Sequence, residues 1–355
     1  MLYYNIAKIV VLLLIRADYS QLRKISLLII NNFLPFTFYG EIMHRLTSLC
    51  CATAIVVSSS AFADDTFNVV TTVKPLNLIV SELTQGAATS EFVIPAGSSP
   101  HDYALRPSDV KKLKQADLVV WIGPELESFL TKTMDSKPEN IALSKQQGIN
   151  FRYYAEDESH AEHEHEHGDH SAAAEHEGHH HHEHNGIDPH LWLGPDQAIQ
   201  AANVITKALI KYDPLHKNTY TANLSTFTTD VQQAVIKLNK QLQPLNNKGY
   251  YVFHDGYGYF EQQFKLDNLG HFTVEPDRRP GAKTLLSIRQ ALTNNQAQCV
   301  FSEPQFSPAV VKSVIKGTNV KIGTLDPMAT DIVEGKGGYV RFLNELGQRF
   351  SKCLN

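Results

Sequence analysis

The stretch Leu215–Leu242, LHKNTYTANLSTFTTDVQQAVIKLNKQL, decides the fold. It follows Asp213-Pro214, contains neither Gly nor Pro, and keeps an amphipathic pattern from end to end. As one uninterrupted helix it would reach roughly 40 Å at about 1.5 Å per residue. A helix of that length in mid-chain is a stiff connector, so the question is what it connects.

On its N-terminal side, strand-like and helical runs alternate. Phe67–Thr72, Glu91–Ile94 and Leu118–Ile122 read as strands. Leu76–Leu83 reads as a helix with one apolar face, Ser108 as the cap of a helix opening over Asp109–Leu113, and Pro195–Ile210 as a further helix. The C-terminal side repeats the rhythm. Strands are expected at Gly249–Phe253, Gly270–Val274, Cys299–Ser302 and Val320–Leu325. Helices are expected at Tyr257–Phe264, Thr284–Asn294, Ser307–Lys316 and Tyr339–Leu354. This βαβα order predicts an α/β fold of two parallel-sheet lobes joined by the long helix, with a ligand crevice at the carboxyl ends of the strands. The expected division is an N-terminal lobe over 64–214, the linker helix over 215–243 and a C-terminal lobe over 244–355.

Composition is that of an ordinary globular chain: 355 residues, 43% hydrophobic and 19% charged, enough for two domains. The net charge of −5 offers no basic surplus for nucleic acid, and nothing points beyond a monomer. Met43-His44-Arg45, the mostly apolar Leu46–Val57 and Ala61-Phe62-Ala63 read as a signal peptide over 43–63, cleaved near Ala63, which predicts a soluble periplasmic protein. Residues 1–42 read as an upstream extension absent from the mature protein. Its apolar runs Val10–Ile15 and Ile25–Ile30 fall short of the ~20 residues that span a bilayer, although a membrane anchor is the rival reading. Cys50 and Cys51 leave with the signal. That puts Cys299 and Cys353 in an oxidising compartment, either as a disulfide pinning the last helix to a strand or as two buried thiols.

Histidine is the unusual residue. Eleven of the 17 histidines fall in 155–186, a segment of mostly His, Glu, Asp, Ala and Gly with no apolar periodicity. It is expected to be a disordered loop inside the first lobe. Imidazoles at His163, His165, His167, His179, His180, His181 and His182 offer loose, exchangeable metal sites. A solvated acidic linker is the plainer reading.

Outside the loop, His101, His190 and His254 stand at strand ends or just after turns, and Asp326 ends the strand before it. Side chains at strand ends of both lobes could meet across one crevice. Three neutral imidazoles suit Zn²⁺ better than Mn²⁺. Each imidazole would need an acceptor for its other N–H, for which Asp102 and Asp255 are adjacent in sequence. The wide spacing alone does not decide between such a site and three ordinary hydrogen-bonded histidines. His216 reads as structural or exposed. His271 reads as strand-buried or cleft-facing.

Several stretches resemble one family. They are Ser99-Pro100-His101-Asp102-Tyr103-Ala104-Leu105-Arg106-Pro107-Ser108-Asp109, Ala116–Glu125, His190-Leu191-Trp192-Leu193 and Phe253-His254-Asp255-Gly256-Tyr257-Gly258-Tyr259-Phe260. Gly270–Val274, Glu303-Pro304-Gln305-Phe306 and Gly323-Thr324-Leu325-Asp326-Pro327 join them. Together they resemble the periplasmic metal-binding components of bacterial zinc-uptake ABC transporters, over essentially all of 64–355. The resemblance implies metal between two lobes bridged by a long helix, His101, His190 and His254 as Zn²⁺ ligands, and a Cys299–Cys353 bridge. It also implies a membrane permease as partner, with a cytoplasmic ATPase behind it, and no enzymatic activity. Related manganese binders carry a carboxylate where His254 stands. Some zinc members carry Glu where Pro100 stands, so Asp326 or a water is left as the fourth ligand. Competing readings are a zinc buffer acting through the His-rich loop and, more remotely, a zinc hydrolase with Asp326 or Glu303 as its base. Manganese in place of zinc is a variant of the first reading.

Overall fold

The computed structural model describes residues 66–154, 186–274, 276 and 279–355. The upstream extension, the signal peptide and the histidines of the acidic loop lie outside the described residues.

Two four-stranded sheets carry the architecture, and every strand pairing in them is parallel. The first has the order β2-β1-β3-β4, from β1 (Asn68–Val73), β2 (Thr89–Ile94), β3 (Leu118–Trp121) and β4 (Asn140–Ala142). The second repeats that order as β6-β5-β7-β8, from β5 (Tyr250–His254), β6 (Asn268–Thr273), β7 (Cys299–Ser302) and β8 (Lys321–Thr324). The central strands β1, β3, β5 and β7 are buried almost throughout, while the outer strands β2 and β8 keep exposed positions. Covering helices on both faces demand this, which is why the central strands read as continuous apolar runs. In each sheet the chain leaves the first strand toward one edge and returns to its other side, which opens a crevice at the carboxyl ends.

The helices follow the expected places with corrected ends, except for the five-residue helix over Thr131–Asp135, which was not expected. They are α1 (Lys74–Leu83), α2 (Pro107–Gln115), α3 (Thr131–Asp135), α4 (Pro195–Tyr212), α5 (Lys217–Leu242), α6 (Gly258–Phe264), α7 (Ala282–Thr293), α8 (Ala309–Ile315) and α9 (Gly338–Leu354). Ser108 is not the cap of α2. Arg106 is, because Pro107 suits the first helical position and the Asp109 carboxylate, three residues on, accepts the Arg106 backbone N–H at 2.9 Å. The short strand β4 was not expected. It is three residues long, and no period can be read in so few.

The long helix α5 buries Tyr220, Phe227, Val231, Ala234, Leu238 and Leu242, a stripe at helical spacing. It packs against α1 and α4 of the first lobe and α6 and α9 of the second. One continuous apolar core therefore runs from Val70 and Trp192 through α5 to Phe301 and Phe350. A second, smaller cluster around Phe253, Phe272 and Val311 lies on the other face of the second sheet. Polar contacts reinforce the seam. Glu82 on α1 accepts the Tyr339 N–H at 3.0 Å, which puts a carboxylate at the N-terminus of α9. Lys74 donates to the Thr330 carbonyl at 2.9 Å. The two sheets are thus fastened through a shared core, a geometry that restricts wide hinge motion.

Cys299, at the start of β7, is bonded to Cys353 on α9, which pins the last helix to the second sheet across a separation of 54 residues. Closing a loop of that size is worth about 4 kcal/mol in the chain-entropy picture. The double variant Cys299→Ala/Cys353→Ala is expected to lose about that much in denaturant unfolding. A loss below ~1 kcal/mol would mean that packing alone holds α9 in place.

Candidate metal centre

His101, His190 and His254 converge. Each reaches the same point by a different local device. His254 is the last residue of β5, so the strand delivers its imidazole to the carboxyl edge of the second sheet. β5 and β7 run parallel with Tyr250 opposite Cys299, and continuing that register sets Glu303 beside His254. The Glu303 carboxylate sits 2.6 Å from His254 Nδ1. His190 stands just before the short turn Leu191–Leu193 that leads into α4. The Asp188 carboxylate accepts both the His190 backbone N–H at 3.0 Å and its Nδ1–H at 2.8 Å, a local loop of the kind Asp favours. His101 rides on the loop between β2 and α2. That loop is held from the other lobe, because the Ala96 carbonyl accepts from Gln305 Nε2 at 3.0 Å and from the Thr330 hydroxyl at 3.2 Å.

With both Nδ1 atoms facing buried carboxylates, His190 and His254 present bare Nε2 lone pairs inward. His190 Nε2 lies 3.2 Å from His101 Nε2 and 3.2 Å from His254 Nε2. Three nitrogens bound at about 2.0–2.1 Å to one tetrahedral ion lie about 3.4 Å apart. Two of the three pairs therefore already hold the spacing such an ion requires, and the ligand nitrogens of all three rings lie within 4.8 Å of one another. Among the described residues they form the one cluster of His, Cys, Asp and Glu with metal-holding geometry. Trp192, Phe306 and Met328 line the same crevice and give it apolar walls.

The electrostatics are graded. Burial works against a charged His254, but the Glu303 charge and hydrogen bond outweigh it, so its pKa is raised. Burial, followed by the charges of His190 and His254, holds His101 well below the usual imidazole value. Burial opposes ionisation of Asp188, yet His190 and Arg152 more than compensate and its pKa is lowered.

Not every residue singled out from the sequence joins the cluster. Asp326 stands apart from it. One of its carboxylate oxygens accepts from Gln305 Nε2 at 2.8 Å and from the Met328 N–H at 3.1 Å, and the other from the Thr330 N–H at 2.6 Å. It organises the residues that grip Ala96 and is not part of the three-histidine group. Asp102 is exposed and Asp255 pairs with Arg152, so neither orients an imidazole. Asp188 and Glu303 fill those roles. His216 bonds Asp213 at 2.7 Å beside the start of α5, in keeping with a structural part. His271 lies on β6 with Nδ1 3.9 Å from Asp255. The sequence did carry a signal for Asp188, two residues before His190. Glu303 needed the sheet register to be seen.

Comparison with known proteins points to the same metal and fold. A family described as "Zinc-uptake complex component A periplasmic" matches residues 69–353. The high-affinity zinc uptake system protein ZnuA of Yersinia pestis is 45% identical over 288 residues, covering 81% of this chain and 91% of the relative. The protein of that name from Haemophilus ducreyi is 43% identical over 288 residues, covering 81% and 93%. Among solved structures, a crystal structure of ZnuA matches with a TM-score of 0.66 at 22% identity over 82% of this chain and 100% of that one. A zinc-bound deletion mutant of ZnuA matches with a TM-score of 0.66 at 21% identity, over 82% of this chain and 99% of that one. At such identities the structural likeness speaks for the fold.

Gly256 tests the geometry. A Cβ there would lie 2.5 Å from His254 Nε2, so any side chain must push the imidazole off the shared point. Gly256→Ala is expected to weaken zinc binding by about 10- to 100-fold, the scale seen when a ligand's orientation is disturbed, with the protein still folded. Competition against a chelator checks this, and unchanged affinity would show that His254 Nε2 does not face the ion.

Proposed function

The chain belongs to the family of the periplasmic component A of zinc-uptake complexes, and from that premise we propose that it captures Zn²⁺ between its lobes and delivers it to the permease of an ABC importer. His101, His190 and His254 are the protein ligands. Water takes the fourth position in this reading: Pro100 has no side-chain donor, and Asp326 lies outside the group formed by the three imidazoles. The observation that carries the reading is the pair of 3.2 Å Nε2–Nε2 separations, with Asp188 and Glu303 behind two of the rings. An all-imidazole protein set favours zinc over manganese, which prefers oxygen donors.

In this reading residues 64–214 and 244–355 are the two jaws, and the 215–243 helix is their stiff spine. The His-rich segment 155–186 gathers zinc loosely and feeds the tight site. The chain is exported by the signal over 43–63, works in the periplasm as a monomer and reaches the cytoplasmic ATPase only through the permease. Among the described residues no helix is long and apolar enough to cross a membrane. No catalysis is proposed. A zinc hydrolase needs a free base beside the metal-bound water. Glu303 Oε1 is committed to His254 and its Oε2 is buried, while Asp326 accepts from Gln305, Met328 and Thr330.

Two measurements test the reading. A chain lacking 156–186 is expected to bind one zinc at nanomolar strength or better, about −12 kcal/mol. His190→Ala should weaken it by far more than the ~10- to 100-fold cost of losing a neighbour of a ligand. Weak binding in the loop-deleted chain would transfer the zinc chemistry to the loop and favour a buffer.

The second measurement is pH dependence. Zinc must displace any proton on its ligands. The raised pKa of His254 keeps a proton there above the ordinary 6.5, so affinity should begin to fall above pH 6.5 as the solution is acidified. His101, with its lowered pKa, adds to the fall only at more acidic values. In Glu303→Gln the onset should shift to lower pH, and an onset that does not move would remove Glu303 as its cause.

A further inference from the structure

Behind the three imidazoles lies a second layer that the zinc-capture reading does not use. The chain on either side of residues 155–185 pairs as a short antiparallel bridge, with Tyr153 opposite Ile187. The Asp188 N–H donates to the Arg152 carbonyl at 2.8 Å, so Arg152 and Asp188 are the next cross-strand neighbours. Oppositely charged neighbours in that position attract. Arg152 does more than pair locally. One guanidinium nitrogen donates to Asp188 at 2.7 Å, and another to both oxygens of Asp255 at 3.1 and 3.3 Å. Asp188 is the residue that fixes the His190 ring. Asp255 follows His254 directly and belongs to the other lobe. The planar fork of arginine can hold two carboxylates at once, whereas the compact ammonium of lysine cannot do so with matched geometry.

The surroundings are built around that fork. The Arg152 N–H donates to the Tyr259 hydroxyl at 3.0 Å, and that hydroxyl donates to the Asp188 carbonyl at 2.8 Å. Gly258, at the start of α6, lies flat against the guanidinium, and a Cβ there would sit 2.3 Å from Arg152 Cζ. Asp188 is fully buried, so its charge needs compensation in place. Its carboxylate is shared between the ring and backbone N–H of His190, Arg152 and the Tyr154 hydroxyl.

We propose that Arg152 is a positioning residue: an ionic clasp between the lobes that holds Asp188, and through it His190, in register with the His254 strand end. The inference rests on the zinc-capture reading. Its consequence is that the two halves of the site are tied by a charge bridge as well as by the apolar seam. When the bridge parts, the imidazole set loses its spacing and zinc leaves faster.

Arg152→Lys keeps the charge and removes the fork, so it separates the clasp from simple electrostatics. The full chain is expected to release zinc about tenfold faster and to bind it about 10- to 100-fold more weakly. The visible absorption of the Co²⁺-loaded protein should change in shape, as it reports the geometry around the metal. A residue that merely aids folding would lower the melting temperature and leave the Co²⁺ spectrum and the release rate as they are. Asp255→Asn breaks the same bridge from the other lobe and Gly258→Ala displaces the fork, so either serves if Arg152→Lys does not fold. The Arg152→Lys/Asp255→Asn double variant should be little worse than Arg152→Lys alone, because the contact that Asp255→Asn removes is already lost with the fork.

Wild-type spectra and release rates in the variants would overturn the clasp, as would effects of Arg152→Lys and Asp255→Asn that simply add. If wild-type protein itself failed to bind zinc in the cleft, the capture reading would fall instead. The two failures are therefore distinguishable.

Discussion

With their Nδ1–H groups given to carboxylates, His190 and His254 in their neutral forms face each other across 3.2 Å with lone pairs alone, an arrangement that a proton or a metal cation completes. The chain sustains that arrangement with buried carboxylates. Asp188 and Glu303 are 0% and 4% exposed, and each takes the Nδ1–H of one histidine. Taking a carboxylate out of water costs several kcal/mol unless it is paired. Both carboxylates therefore need their histidines, just as the histidines need them for orientation. The rest of the fold holds these pairs in place.

Three elements supply that support. The repeated sheet order puts carboxyl ends of strands from both lobes around one crevice. The long helix and its apolar stripe merge the lobes into a shared core. Polar fasteners close the remaining degrees of freedom: Glu82 on α9, Gln305 and Thr330 on the Ala96 carbonyl, and Arg152 between Asp188 and Asp255. A shared core of this kind restricts a wide hinge between the lobes.

Much of this was legible in the sequence, and the limits have physical causes. The long helix could be read because 26 residues free of Gly and Pro leave a strong period. The central strands could be read because burial on both faces leaves unbroken apolar runs. β4 could not, being three residues long. The start of α2 was misplaced because Ser108 resembles a cap, while Arg106 caps through its backbone and borrows the Asp109 carboxylate. His101, His190 and His254 were visible as strand-end or turn residues, but their meeting depends on two lobes and on no sequence period. Asp326 was singled out as a possible fourth ligand by position; it lies outside the group of three histidines and accepts hydrogen bonds from Gln305, Met328 and Thr330. Glu303 lies 49 residues from His254 and is joined to it only by the sheet register.

The central claim is that one zinc is held by three imidazoles from both lobes. X-ray absorption at the zinc edge tests it most directly, on a chain lacking 156–186 loaded with one equivalent of zinc. The account requires a four-coordinate ion with three histidine nitrogens at about 2.0–2.1 Å and one oxygen. A first shell with one imidazole or none, or one dominated by oxygen, would contradict it and leave the 3.2 Å cluster without its ion.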